Sequence, residues 1–160
     1  MIELRIETEV LAPRERCFDL VRSVDFHTDS SRIIAGKAVA HRVSGLSELG
    51  DRTTWSARFF GVRFRLTTEI RQYERPHSFS DVMCAGLFRH FGHVYTFESR
   101  DEERTLMTDD FSFESPFGVL GAAFDALVLR YRMHAIALSR SLYIKRVAES
   151  DAWRNYLSLD

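Results

Sequence analysis

Cysteine and proline are scarce in this chain, with two and three in 160 residues, and its 22 basic and 23 acidic side chains nearly cancel. Each shortage excludes something. Cys17 and Cys84 stand far apart and belong to no CxxC or Cys/His spacing, so neither a disulfide framework nor a zinc site is expected. Reduced thiols packed as small apolar groups are the expectation. A net charge of −1 without any basic block leaves little to hold a nucleic acid by its phosphates. No apolar run approaches the ~20 residues of a membrane span, and Met-Ile-Glu-Leu-Arg does not resemble a signal peptide. No stable membrane insertion is expected, and the cytoplasm is the expected location. Internal repeats, nucleophile motifs and phosphate loops are absent, so no cofactor is expected.

What is present is apolar pattern. The composition is 45% hydrophobic with 13 phenylalanines, and a chain of this size buries roughly 70% of its unfolded surface. One domain over residues 1–160 is the natural count, with 149–160 as a tail carrying Trp153 and Tyr156. Ile2, Leu4, Ile6 and Thr8 alternate with Glu3, Arg5, Glu7 and Glu9, the mark of a strand with one wet face. Pro13 opens a short helix over 14–21, and a second lies near 23–30. Strands are expected over 38–43, 51–60, 62–73, 79–84, 87–98 and 104–114.

The run from Pro116 to about Val147 reads as a long helix, roughly 46 Å at ~1.5 Å per residue. Phe117, Leu120, Gly121, Phe124, Leu127, Val128, Tyr131, Ala135, Leu138 and Leu142 recur at helical spacing and define an expected inner stripe. Asp125, Arg130, Arg132 and Arg140 fall off that stripe, as solvent-facing residues would. Gly118 and Gly121 remove bulk where an opening between helix and sheet is expected.

Two hairpins carry the register. A Phe60-Gly61 turn sets Trp55 opposite Leu66, Ala57 opposite Phe64 and Phe59 opposite Val62, all on one face. A turn centred on Asp101 sets Phe91 opposite Phe111, His93 opposite Asp109 and Tyr95 opposite Met107. The face carrying Phe91, His93, Tyr95 and Phe97 is the more apolar and is expected inside. His93 and Asp109 go inside with it. They form either a general base with its orienting carboxylate or a structural hydrogen bond between strands. Asp81 shares the parity of Phe79, is also expected inward, and is set near Thr68 by simple pairing. Tyr131 could offer a hydroxyl from the helix. His27 and His90 read as surface or cap residues. Arg89 and His90 lie where a cavity mouth could meet an anionic head group.

The order of elements, with several short motifs, resembles the helix-grip fold of the START-related (SRPBCC) superfamily, and in particular its stand-alone bacterial ligand-binding or cyclase/dehydrase-like branch. The motifs are Ala-Pro-Arg-Glu-Arg-Cys-Phe at 12–18, Asp25-Phe26-His27, Gly86-Leu87-Phe88, Phe91-Gly92-His93, Thr105-Leu106-Met107-Thr108-Asp109, Ser115-Pro116-Phe117-Gly118, Leu120-Gly121, Ile144-Lys145-Arg146 and Ala148-Glu149. Relatives often carry a second histidine two residues after the first, and Tyr95 holds that place. The resemblance implies an α+β fold: a curved seven-stranded antiparallel sheet round a long C-terminal helix, with two short helices after the first strand. It also implies a cavity for a hydrophobic small molecule. The expected lining is Trp55, Phe59, Phe64, Leu66, Asp81, Phe91, Tyr95, Met107, Phe111, Phe124, Val128 and Tyr131, with a filled core as the alternative. Three functions stay open. They are binding of a lipid or polyketide-like molecule, a cyclase/dehydratase with His93 as base and Asp109 as its orienter, and an interaction module that meets a protein through its tail. A monomer and a homodimer are both compatible with the sequence.

Overall fold

The computed structural model describes residues 1–157. The amino-terminal alternation becomes β1, Ile2–Val10, with Leu4, Ile6, Thr8 and Val10 buried and the charged residues between them exposed. Two short helices follow, α1 (Arg14–Arg22) and α2 (Val24–Ser30). Ser23 caps α2, its Oγ accepting from the Phe26 amide at 3.3 Å. A 3-10 turn at Arg32–Ile34 leads into the strands. They are β2 (Lys37–His41), β3 (Arg52–Phe59), β4 (Val62–Glu74), β5 (Ser78–Ala85), β6 (His90–Asp101) and β7 (Arg104–Glu114). All pair antiparallel in one seven-stranded sheet ordered β1-β7-β6-β5-β4-β3-β2.

The β3–β4 register is as expected: Trp55 meets Leu66, Ala57 meets Phe64 and Phe59 meets Val62. Phe60 and Gly61 both take positive φ, 49° and 77°, as a two-residue turn matching strand twist requires. The β6–β7 register differs by two residues. An irregularity between Ser99 and Asp101 sets Phe97 opposite Met107, Tyr95 opposite Asp109 and His93 opposite Phe111. A two-residue slip preserves the faces, so His93 and Asp109 stay inside as diagonal rather than direct neighbours. Leu87 to Arg89 lie outside the strands, in the β5–β6 connection.

The carboxyl-terminal helix runs from Gly118 to Ala148 as α3 (Gly118–Phe124), a π-helical stretch (Asp125–Leu129) and α4 (Arg130–Ala148). The expected inner stripe is overturned. Phe117, Leu120, Leu127, Tyr131 and Leu142 are exposed, and Phe124 and Val128 are 42% and 41% exposed. The buried side is Gly121, Asp125, Leu129, Met133, Ala137, Arg140, Ser141, Ile144 and Val147. Its successive members stand four apart through the π stretch, whose wider turns keep such residues in line. This side is also part polar and part small, which is why an apolar count picks the opposite one.

Asp125 and Arg140 are therefore inside, not solvent-facing. Asp125 locks the helix start, accepting from the Ser115 amide at 2.9 Å and the Ser115 hydroxyl at 2.5 Å. Gly121 marks a close approach rather than an opening, since a Cβ there would come 3.2 Å from Ser115 Cβ. Gly118 sits in the left-handed region at φ 55° with open space around it, away from the cavity wall.

The interior is solid at one end. Phe18 from α1 meets Tyr73, Phe79 and Phe97 edge-on at 5.5, 5.3 and 5.4 Å, above a bed of Val10, Met107, Ile144 and Val147. Each such aromatic pair contributes ~0.5–1.5 kcal/mol beyond area burial. The tail packs here too. Asp151–Asn155 form a 3-10 turn, Trp153 stacks under Arg16 at 4.6 Å, and the Tyr156 hydroxyl donates to Asp29 at 2.7 Å. Trp153 and Tyr156 are thus half-buried against the core, which leaves little of them for a protein partner; the expected tail's last three residues lie outside the described ones. A smaller cluster of Leu4, Phe111, Phe113, Leu129 and Met133 lies toward the other end, and its Phe111 and Met133 form part of the wall of a hollow.

Candidate functional site

That hollow lies between the concave face of the sheet and α4 and opens to the surface at a mouth. Strands β3 and β4 supply Trp55, Ala57, Phe59, Phe64, Leu66 and Thr68, and β5 supplies Asp81. Phe91, His93 and Phe111 come from β6 and β7, and α4 adds Met133, Ile136, Ala137 and Arg140. Eight expected residues therefore line one space: Trp55, Phe59, Phe64, Leu66, Asp81, Phe91, His93 and Phe111. Phe124, Val128 and Tyr131 do not, because they are on the outer side of the helix. Met107 is fully buried in the solid core, and Tyr95 and Asp109 lie beneath the cavity floor.

The floor is polar and layered. The His93 Nδ1–H donates to Asp109 Oδ1 at 2.9 Å. The Tyr95 hydroxyl oxygen is 3.2 Å from the same nitrogen and accepts from Arg140 Nη2. Arg140 Nη2 is also 3.9 Å from Asp109 Oδ2, an ion pair buried on both sides. Burial lowers the Arg140 guanidinium to about 10, which still leaves it cationic at neutral pH. His93 stacks on Phe111 with ring centres 4.2 Å apart. With Nδ1 committed downward, Nε2 has no protein partner among the described residues and is the ring edge left for the cavity.

Asp81 is the group with least support. It stands opposite Ile70 and His93, not Thr68. Its Oδ1 is buried without a hydrogen-bond partner. Burial pushes its carboxyl above the ordinary aspartate value, against the pull of the His93 and Arg140 charges and a hydrogen bond from Thr68. Thr68 in turn accepts from Trp55 Nε1 at 3.2 Å.

Among the wall residues that sequence reasoning missed are two basic ones, His27 and Arg140. His27, expected at the surface, faces the cavity and lies 4.2 Å from the Trp55 ring centre. Burial, then the Arg140 charge, holds its pKa well below the usual histidine value, so it is neutral at pH 7. The signal available was its place beside the core residue Phe26 on a capped helix. Arg140 was missed with the helix phase. His90 bonds Ser112 at 2.8 Å and Arg89 pairs with Glu114 at 3.3 Å, both outside the cavity. His134 is exposed. Cys17 is buried and its thiol is pushed up to about 11 by that burial, while Cys84 is exposed; both are free. No cluster of three or more His, Cys, Asp or Glu suited to a metal ion occurs among the described residues, and no described helix is long and apolar enough to cross a membrane.

No protein-family model matches the chain, and no curated protein matches it in sequence. Solved structures do match it in shape. TTHA0849 from Thermus thermophilus superposes with a TM-score of 0.70 at 18% identity, over 92% of this chain and 99% of that one. A START superfamily protein from Mycobacterium smegmatis gives 0.67 at 13% identity, over 91% and 98%. Major latex-like protein 151 from Panax ginseng gives 0.67 at 12%, over 93% and 98%.

Proposed function

We propose that this chain, whose fold is the helix-grip fold of START-related proteins, binds a small hydrophobic or aromatic molecule, lipid or polyketide-like, between its sheet and its C-terminal helix. The observation that carries the reading is the hollow with aromatic walls and a polar floor. At ~25 cal/mol per Å², each ~100 Å² of ligand apolar surface hidden there contributes about 2.5 kcal/mol before the costs of ordering are subtracted. Orientation comes from the floor: Asp81 accepts a hydroxyl or amine proton from the ligand, and His93 Nε2 takes or gives another hydrogen bond. Native mass spectrometry of protein purified from cells tests this. A bound species released by denaturation supports it. An empty chain that also shows no thermal shift with any apolar compound refutes it.

A second reading is favoured by one observation, the buried His93–Asp109 couple. A carboxylate that fixes an imidazole's tautomer and stabilises the imidazolium that forms suits proton abstraction beside a carbonyl, the first step of an aldol cyclisation or a dehydration. Under this reading His93→Ala abolishes turnover of a polyketone substrate while its binding stays within about tenfold. Equal loss of both leaves simple binding.

A further inference from the structure

We infer that the end of the molecule formed by the β3–β4 turn, the β5–β6 connection and the start of α3 docks on a bilayer surface rich in anionic lipid. Strand pairing gathers these segments at one end. Phe59 is opposite Val62, Thr67 opposite Ala85, and His90 opposite Glu114, after which the chain enters α3. Large apolar side chains project from each segment. Phe60 is 58% exposed, Leu87 61%, Phe117 76%, Leu120 82% and Leu127 74%. The Phe60 ring lies 5.9 Å from that of Phe124, which joins turn and helix into one surface. An apolar surface of this extent is unusual on a chain that stays alone in water.

Charge selects the occupant. Residues 53–68 and 82–97 contain no Asp or Glu, and 116–148 contain only Asp125, which is buried against Ser115. Glu114 is paired with Arg89. Arg58, Arg63 and Arg65 beside the turn and Arg130 beyond Leu127 are exposed, and none has a carboxylate partner among the described residues. Most other arginines are paired, so the near-zero net charge hides a cationic end. Two copies meeting through this end would set these arginines against each other. The apolar groups crown turns and a helix face rather than line a groove, which suits a deformable lipid surface better than a folded partner. Phe59, Phe64 and Phe88 of the cavity wall lie at the same end, so docking brings the hollow to the lipid.

Co-sedimentation of the full chain with vesicles of phosphatidylcholine alone, or mixed with phosphatidylglycerol, tests the inference. Binding is expected to the mixed vesicles only and to weaken as salt is raised. Leu120→Asp, at a site too exposed to affect folding, lowers it at least tenfold. Arg58→Gln with Arg63→Gln lowers it about fivefold per charge removed. Asp81→Leu, which alters the cavity, leaves it unchanged, so failure of the ligand reading and failure of docking are told apart. Equal binding to both vesicle types, no binding to either, or a dimer in solution that Leu120→Asp splits would each overturn it.

Discussion

Asp81→Asn is expected to make the ligand-free protein more stable, an unusual outcome for a buried polar residue. The wild-type carboxyl keeps one oxygen buried without a partner and is pushed above its ordinary pKa by that burial. Leaving a buried acceptor unmade costs ~1–3 kcal/mol, and more when it is charged. Asparagine keeps the shape and removes the charge, but its amide still needs partners and Arg140 loses a distant counter-ion. A net gain of about 1 kcal/mol follows, or about 2–4 °C in Tm for a domain of this size. The pH dependence has a definite sign. A carboxyl whose folded pKa is raised adds its stability in full below the unfolded value of ~3.9, and that stability is lost as pH climbs through the folded pKa. Wild type and variant therefore differ least in acid, and the gap opens toward neutral pH in the variant's favour. Thermal melts of both proteins, stripped of ligand and run from acid to neutral pH, measure it. A variant less stable than wild type at pH 7, or a gap that closes with rising pH, would refute the reasoning, because the carboxylate would then have to be well paired.

The helix phase gives a sharp contrast. Leu129→Ala empties a site that is 2% exposed and is expected to cost about 2–5 kcal/mol. Leu127→Ala, two residues earlier and 74% exposed, changes stability by under ~0.5 kcal/mol, and urea melts separate the two. Ending the chain after Asp151 removes the Trp153 stack on Arg16 and the Tyr156 bond to Asp29. The loss is roughly 3 kcal/mol, seen as a Tm lower by at least ~6 °C. A truncated chain that melts like the full one would show the tail to be idle.

Strands were legible because each has one wet face, and period-two alternation survives even where the register slips. That is why the β3–β4 pairing was right residue for residue, and why a two-residue error between β6 and β7 still put His93 with Asp109. The helix was not legible in the same way. Its inner side carries Asp125, Arg140 and Ser141, and it passes through a π stretch, so the expected stripe of Phe124, Val128 and Tyr131 was the wrong one. Polar groups that serve a cavity look like surface in a sequence. Arg140 and His27 were lost for that reason. Asp81 and His93 were found because strand parity, rather than polarity, assigned their side.

The floor of His93, Asp109, Tyr95 and Arg140 has a consequence for how this chain can change over generations. Below it, tightly interlocked aromatics maintain the folded state; above it, the walls touch mostly empty space. Substitutions at Phe64 or Leu66 can thus reshape the hollow without reaching the aromatic foundation. The shape of the hollow can change in single steps, while the lower half stays nearly frozen.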